Sequence, residues 1–284
     1  MTDTTGMQPN YENWMPRHII GGYAALGGLA MASTPLVRRW LRDRPGRHTA
    51  TVALPLVGGL MLAAAVDSAY MRHRFAFTEG DCLARRVVTA VPQALPIPDS
   101  YDPESGQPMR ILDVGCGSGA LTIACAKQFP DAHVVGVDRW GMDYVSYSAA
   151  LCCANARAEG VTNTEFMQGD ALALPFPDES FDALISNYVY HNIHRIDHGQ
   201  IIIDNLRVLK PGGTFAIQDI FAPPVYGPMD QLIRRLTDLG FTDVTFQPTD
   251  CPPIMESWES RLLMVHHAGI LTGRAPAASA APTA

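Results

Sequence analysis

The chain encodes an α/β architecture in which a doubly wound, parallel sheet follows two hydrophobic helices. Three observations carry that expectation. An apolar strand at residues 111–114 contains Asp113 and breaks into glycines at the alternate positions 115, 117 and 119 before an apolar helix opens at Ala120. From there to residue 239, strand-like and helix-like stretches alternate, the pattern of a parallel sheet with helices on both faces. Upstream, residues 19–37 and 49–66 carry no charge at all.

The two uncharged stretches come first along the chain. At 1.5 Å rise per residue each is long enough, or nearly so, to cross a hydrocarbon core of about 30 Å. Arg38, Arg39, Arg42, Arg44 and Arg47 lie between them, with Asp43 the one acidic residue. The pair reads as a membrane hairpin and not as a signal peptide, because a second apolar run follows and no basic segment opens the chain. Five arginines in a short loop favour a cytoplasmic loop, yet Arg17 before the hairpin and Arg72, Arg74, Arg85 and Arg86 after it balance that count. A hairpin dipping into the cytoplasmic leaflet would place both arginine sets against anionic headgroups, with the α/β region that follows on the cytoplasmic side.

Residues 71–108 are expected to connect the hairpin, segment 1–70, to the domain at 109–272. Residues 75–91 have a helical pattern, and the proline-rich 92–108 reads as an extended linker. In the domain, residues 134–138 form a second strand ending in a carboxylate, and Gln168, Gly169 and Asp170 close a third. Residues 183–187 form a fourth strand. A helix ending at Pro211 turns through Gly212 and Gly213 into a fifth strand at 214–221, and a helix follows at 228–239. Residues 240–246 and 261–266 are expected to be the closing strands. The tail 273–284, rich in Ala and Pro, is expected to be disordered.

The glycine loop alone fits two cofactors. Gly115, Gly117 and Ala120 satisfy the dinucleotide pattern, with Asp138 about 20 residues on as a ribose acceptor. The order and spacing of the loop, Asp138, Asp170 and the Arg207-to-Gly213 turn decide otherwise. Over residues 109–270 the chain resembles the class I S-adenosylmethionine-dependent methyltransferases. The resemblance implies a Rossmann-like sheet of seven strands, antiparallel at one edge. It also implies a methionine-end site at Asp113, Gly115, Cys116, Gly117 and Gly119, and a ribose acceptor at Asp138 flanked by Arg139. Asp170, followed by the small Ala171, would accept from the adenine amino group, and Asn187 would stand beside the reacting methyl. Trp140 is either an apolar wall for the adenine or a core residue.

The acceptor should sit after the fourth strand, where His191 could act as a base and Tyr188 could assist, or His191 could simply bond a neighbouring loop. Residues 105–284 hold 11 Lys and Arg against 19 Asp and Glu, a net −8, while 1–104 hold 10 against 9, a net +1. An acidic catalytic region disfavours nucleic acid as a partner. The six cysteines show no metal-site spacing, so reduced thiols and no metal are expected. Only a short connection, residues 222–228, follows the fifth strand, so residues 75–91 with the membrane surface are expected to form the lid, favouring a lipophilic small-molecule acceptor. The competing functions are an NAD(P)-dependent oxidoreductase and a non-catalytic nucleotide-binding membrane protein.

Overall fold

A computed structural model describes residues 8–13, 15–77, 81–141, 146–194 and 197–277. The chain falls into two compact units, Asn13–Cys82 and the remainder. The first is a helix pair, α1 (Arg17–Trp40) and α2 (Arg47–Arg74), turning at Gly46. Both helices run further than the uncharged stretches, because their arginine-bearing ends continue the same backbone. Pro35 and Pro55 sit inside them. The helices meet through small residues: a Cβ on Gly27 would lie 2.9 Å from the Gly58 carbonyl oxygen, and one on Gly58 3.0 Å from that of Gly27. Such glycine contacts let helix backbones approach closely. Outward stand Leu29, Leu36, Leu60 and Val66, at 66–71% exposure.

The second unit holds α3 (Leu83–Ala94), β1 (Arg110–Val114), α4 (Ala120–Gln128), β2 (His133–Asp138), α5 (Ala149–Ala158), β3 (Thr164–Gln168) and β4 (Phe181–Asn187). It continues with α6 (His198–Asn205), β5 (Leu209–Ile220), α7 (Pro223–Tyr226), α8 (Met229–Asp238), β6 (Thr242–Pro248), α9 (Ser257–Leu262) and β7 (Ala268–Arg274). The seven strands lie in the order β3-β2-β1-β4-β5-β7-β6. The first five are parallel and β7 is antiparallel to both neighbours. Strand order reverses between β1 and β4, which opens a crevice at the carboxyl ends of the strands. Leu112, Val114, Leu184, Phe215 and Ile217 are fully buried at the sheet centre.

Several boundaries differ from expectation. The helix before β5 ends at Asn205 and a 3-10 turn follows, so Pro211 lies within the strand. An irregularity between the Phe181–Leu209 and Ala183–Thr214 pairs absorbs the proline and its two glycines. Residues 261–266 are not a strand: α9 and a turn occupy them, and β7 starts at Ala268. The tail does not begin at 273, since Gly273 and Arg274 belong to β7. Ala275 N donates to the Gly213 carbonyl at 2.7 Å, and Pro276 O accepts from Gly212 N at 3.0 Å. Residues 278–284 lie outside the described residues, as do 78–80 in the connector and 142–145 after Trp140.

The expected lid is also corrected. The helical pattern of 75–91 divides: α2 stops at Arg74 and α3 begins at Leu83, running past Pro92, whose missing amide costs one bond in a last turn. Leu83, Val87 and Val91 of α3 are buried at 0–2% exposure. The helix packs on α4, β4 and β5, so it is a layer of the sheet's core rather than a cover over its strand tips. Arg86, counted above among the membrane-facing arginines, donates to the carbonyls of Pro253 and Ile254 at 3.3 and 2.9 Å.

Candidate active site

The loop between β1 and α4 is anchored by backbone. Gly115 N and Cys116 N both donate to the Val137 carbonyl, at 2.8 and 3.1 Å, which fixes the loop against the tip of β2. Gly115 has φ +74°, and a Cβ there would meet Val189 at 2.3 Å. Gly119, at φ +86°, lies against Phe166 and Cys152. Both positions therefore need glycine for backbone conformation and for space. Cys116 is buried, and burial pushes its thiol well above the ordinary range, so it is no nucleophile.

Asp113 lies beneath the loop with no exposed surface. One carboxylate oxygen accepts from Thr122 Oγ1 at 2.6 Å, and the other, Oδ1, is buried without a partner. Burial pushes this carboxyl up to about 7; the Asp138 charge adds to the rise, and the Thr122 bond opposes it.

The tip of β2 is tied to the same loop. Asp138 accepts from Gly117 N at 2.9 Å and from Trp140 N at 2.8 Å, one bond to each oxygen, which aims the carboxylate along the crevice. Each oxygen keeps a further lone pair. Trp140 is half-buried and its indole Nε1 donates to the Gly117 carbonyl at 2.9 Å. The tryptophan thus lines the loop and is not a core residue. Arg139 is exposed, and its carbonyl accepts from Gln168 Nε2 at 3.2 Å, joining the tips of β2 and β3. Asp170 closes a local turn, accepting from Leu172 N at 2.9 Å through Oδ1, with the half-buried Ala171 inside that turn.

Past β4 the chain turns sharply: Tyr188 has φ +56°. Asn187 Oδ1 is buried without a partner, and across the β4–β5 register the residue opposite is Gln218, whose Oε1 is likewise buried and unpartnered. Gln218 Nε2 donates to Tyr188 Oη at 3.2 Å and to Thr249 Oγ1 at 2.7 Å. Burial raises the Tyr188 hydroxyl above its ordinary value, so it stays protonated and serves as a donor, not a base.

His191 lies in a 3-10 turn, Tyr190–Asn192, with its ring edge-on to Tyr188 and 6.2 Å away. Its Nδ1 bonds the carboxylate of Asp219, a fully buried residue at the tip of β5. Asp219 also accepts from Tyr190 N at 2.9 Å, His191 N at 3.2 Å, Ile220 N at 2.7 Å and Tyr226 Oη at 2.9 Å. The three backbone amides and the tyrosine hydroxyl are all donors to this carboxyl, which matches an acceptor role toward His191 Nδ1 as well. His191 therefore bonds a buried acid at a strand end and not a neighbouring loop, and sequence reasoning missed that acid. The available signal was the rule already used for Asp138 and Asp170, an acidic residue closing a parallel strand. Tyr190, next in the chain, is buried in the core at 0% exposure.

A second missed residue supports the loop from behind. Asn155 on α5 is 1% exposed; its Nδ2 donates to the Ser118 carbonyl and to Asn10 O, both at 2.9 Å, and its Oδ1 accepts from Asn10 N at 2.7 Å. Of the cysteines, Cys152 Sγ faces the Gly117 carbonyl at 3.2 Å, whereas Cys251 follows the end of β6 and faces the Pro248 carbonyl.

Comparison with known proteins agrees with this geometry. A family described as a methyltransferase domain matches residues 105–257, more than half of the chain. A demethylmenaquinone methyltransferase of Thermus thermophilus is 35% identical over 127 residues, covering 45% of this chain and 54% of that protein. An uncharacterized methyltransferase, YcgJ of Bacillus subtilis, is 30% identical, covering 59% and 58%. A sterol 24-C-methyltransferase of Gibberella zeae is 33% identical, covering 45% and 32%. The chain thus spans about half the length, or less, of these curated relatives. Among solved structures, the cyclase SpnF superposes with a TM-score of 0.50 at 20% identity, covering 68% of this chain and 81% of that one. The CurJ carbon methyltransferase gives 0.50 at 14%, covering 87% and 71%. These two likenesses show the fold. Strand order, glycine loop and family match together place the chain in the class I S-adenosylmethionine-dependent methyltransferases.

Proposed function

We propose that this protein is a membrane-attached methyltransferase that alkylates a small lipophilic acceptor bearing an acidic hydroxyl or enol, with its catalytic unit facing the cytoplasm. The observation that carries the reading is the His191–Asp219 pair at the strand tips of a chain that also bears two outward-apolar helices.

The crevice residues fit S-adenosylmethionine. Asp113 Oδ1 is a buried acceptor without a partner, suited to the ammonium of the methionine end. The spare lone pairs of Asp138 suit the two ribose hydroxyls, the Trp140 face suits the adenine, and Asp170 suits its amino group. The Gly115-to-Gly119 loop, with Cys116 at its base, leaves backbone within reach of the methionine end. Arg139 and Ala171 frame the sugar and base, and Asn187 stands where the acceptor meets the methyl. When bound, S-adenosylmethionine supplies a methyl group on a sulfonium that leaves readily.

The chain's own work is then to align the acceptor and remove its proton. His191 is held at Nδ1 by Asp219, which leaves Nε2 to take a proton from the acceptor. Asp219 stabilises the imidazolium that forms. Tyr188 offers a hydroxyl donor, oriented by Gln218, to the oxygen that loses the proton.

Lipophilicity of the acceptor rests on two supports. Two of the matched relatives carry names of lipid-soluble acceptors, a demethylmenaquinone and a sterol. Both helices of the pair are long and apolar enough to cross a membrane, and only 6% and 11% of their most apolar stretches are buried. The net −8 of residues 105–284 does not favour a nucleic acid.

The test is incubation of the full chain and membranes of its source cell with methyl-labelled S-adenosylmethionine. Label should enter a non-protein product that partitions into organic solvent; label confined to water-soluble compounds or macromolecules overturns the reading. With the labelled acceptor in hand, His191→Ala should lower kcat about 100- to 10,000-fold, the span of general-base assistance. Affinity for S-adenosylhomocysteine should stay unchanged in that variant.

A further inference from the structure

The connection between β6 and β7, residues 249–267, leaves the sheet at the edge that carries the site. Antiparallel β7 starts at Ala268, opposite Ile220 at the end of β5, and β6 ends at Pro248, opposite Gly269. Phe221 N donates to the His267 carbonyl at 3.0 Å. The connection is also wired into the site: Thr249, its first residue, bonds Gln218, which bonds Tyr188.

This connection has two apolar sides. Met255, Leu263 and Val265 are buried at 0–5% exposure and seat it on the unit. Trp258 and Leu262, one helical turn apart on α9, are 62% and 43% exposed, and Met264 just beyond is 64% exposed. Met264 is held at φ +56°, a conformation unusual for a side chain of its size. Among the described residues of the catalytic unit, the other large apolar side chains this exposed are Ile97, Leu172 and Leu239. Three of six within seven residues form a patch rather than the scatter a soluble surface shows. Leu172 follows β3 at the same edge, whereas Leu239 precedes β6 at the opposite one.

We propose that Trp258, Leu262 and Met264 form a membrane-contacting surface of the catalytic unit, which seats the active-site edge on the bilayer. The occupant is lipid because the same chain carries two helices whose apolar residues face outward, and tethering of that kind supplies the bilayer at high effective concentration. A tryptophan beside aliphatic side chains suits the interface between headgroup and acyl chain, and Arg261, exposed between Trp258 and Leu262, suits anionic headgroups. A lipophilic acceptor would then pass from bilayer to crevice without crossing water. The inference rests on reading α1 and α2 as membrane elements.

Photo-cross-linking of the full chain tests it, with benzoylphenylalanine placed in three separate proteins at Trp258, at Leu239 and at Leu60. Each is reconstituted in vesicles of phosphatidylcholine and phosphatidylglycerol, and retained binding of S-adenosylhomocysteine confirms folding. Lipid adducts at 258 should exceed those at 239 by about tenfold to a hundredfold, the factor by which apolar surroundings shift the partition of such a side chain. Adducts at 258 no more abundant than at 239, or adducts at 258 to a second copy of the chain instead of lipid, overturn the proposal. The probe at 60 separates the two failures: lipid labelling there leaves the helix-pair reading intact, and its absence removes that reading as well.

Discussion

In β4, Ala183, Leu184 and Ile185 have no exposed surface, while in α1 and α2 Leu36, Leu60 and Val66 are 70–71% exposed. The two regions draw on the same side-chain types and arrange them in opposite senses. The sheet turns its apolar residues inward and is complete by itself, because α3, α4 and the helices between strands cover both faces. The helix pair turns small residues inward, Gly27 against Gly58, and its large ones outward. Burying a side chain of this size is worth about 1.5–3 kcal/mol, which is what the proposed membrane contact would gain from each residue of this outward row.

A paired substitution breaks or sharpens this contrast most strongly. Leu184→Ala should cost the catalytic unit about 2–5 kcal/mol, as cavity-forming changes in packed cores do. Leu60→Ala should cost that unit nothing measurable. Denaturant unfolding followed by circular dichroism compares them, and an equal loss in both would erase the contrast.

The next effect is on the cofactor. Asp138→Ala should weaken S-adenosylhomocysteine binding about 10- to 100-fold by calorimetry, since charge-assisted hydrogen bonds contribute about 1.5–3 kcal/mol each. Leu60→Ala should leave that affinity alone.

The pH dependence is smaller for each pH unit and has a definite sign. Asp113 sits at about 7 against an ordinary 3.8, so its ionised form is the one the fold disfavours. The stability it contributes is complete below about pH 4 and lost as pH rises through about 7. In the proposed site the amino end of the ligand pairs with the ionised form. Affinity should therefore fall by up to about tenfold per pH unit below 7 and level off above it. Asp113→Asn should flatten that profile and should gain stability relative to the wild type more at pH 8 than at pH 5.

Smallest of all, Asp230→Ala should change stability by no more than about 0.5 kcal/mol, because its pair with Arg234 at 2.7 Å is an exposed contact one helical turn long.

The central strands and the glycine loop were legible because their signals are local: an apolar run, an acidic tip and glycines that no other residue can replace. β7 was not. Its sequence contains Gly269 and Gly273, which weaken a strand signal, yet both are required there: a Cβ would lie 2.3 Å from the Phe246 ring and 2.7 Å from the Phe215 ring. The apolar run at 262–265 looked like the strand instead, because a short run of that kind suits a buried helix end equally well. Asp138 and Trp140 could be located from the motif, but not the bonds that tie both to Gly117. Asp219 and Asn155 escaped because their importance lies in partners 28 and 145 residues away.

Flotation of the full-length protein with phosphatidylcholine and phosphatidylglycerol vesicles, before and after an alkaline carbonate wash, tests most directly that the outward face of residues 17–74 meets lipid. The protein should rise with the vesicles and stay with them through the wash. A protein that remains in the dense fraction as a monodisperse species, with S-adenosylhomocysteine binding intact, would contradict that lipid contact.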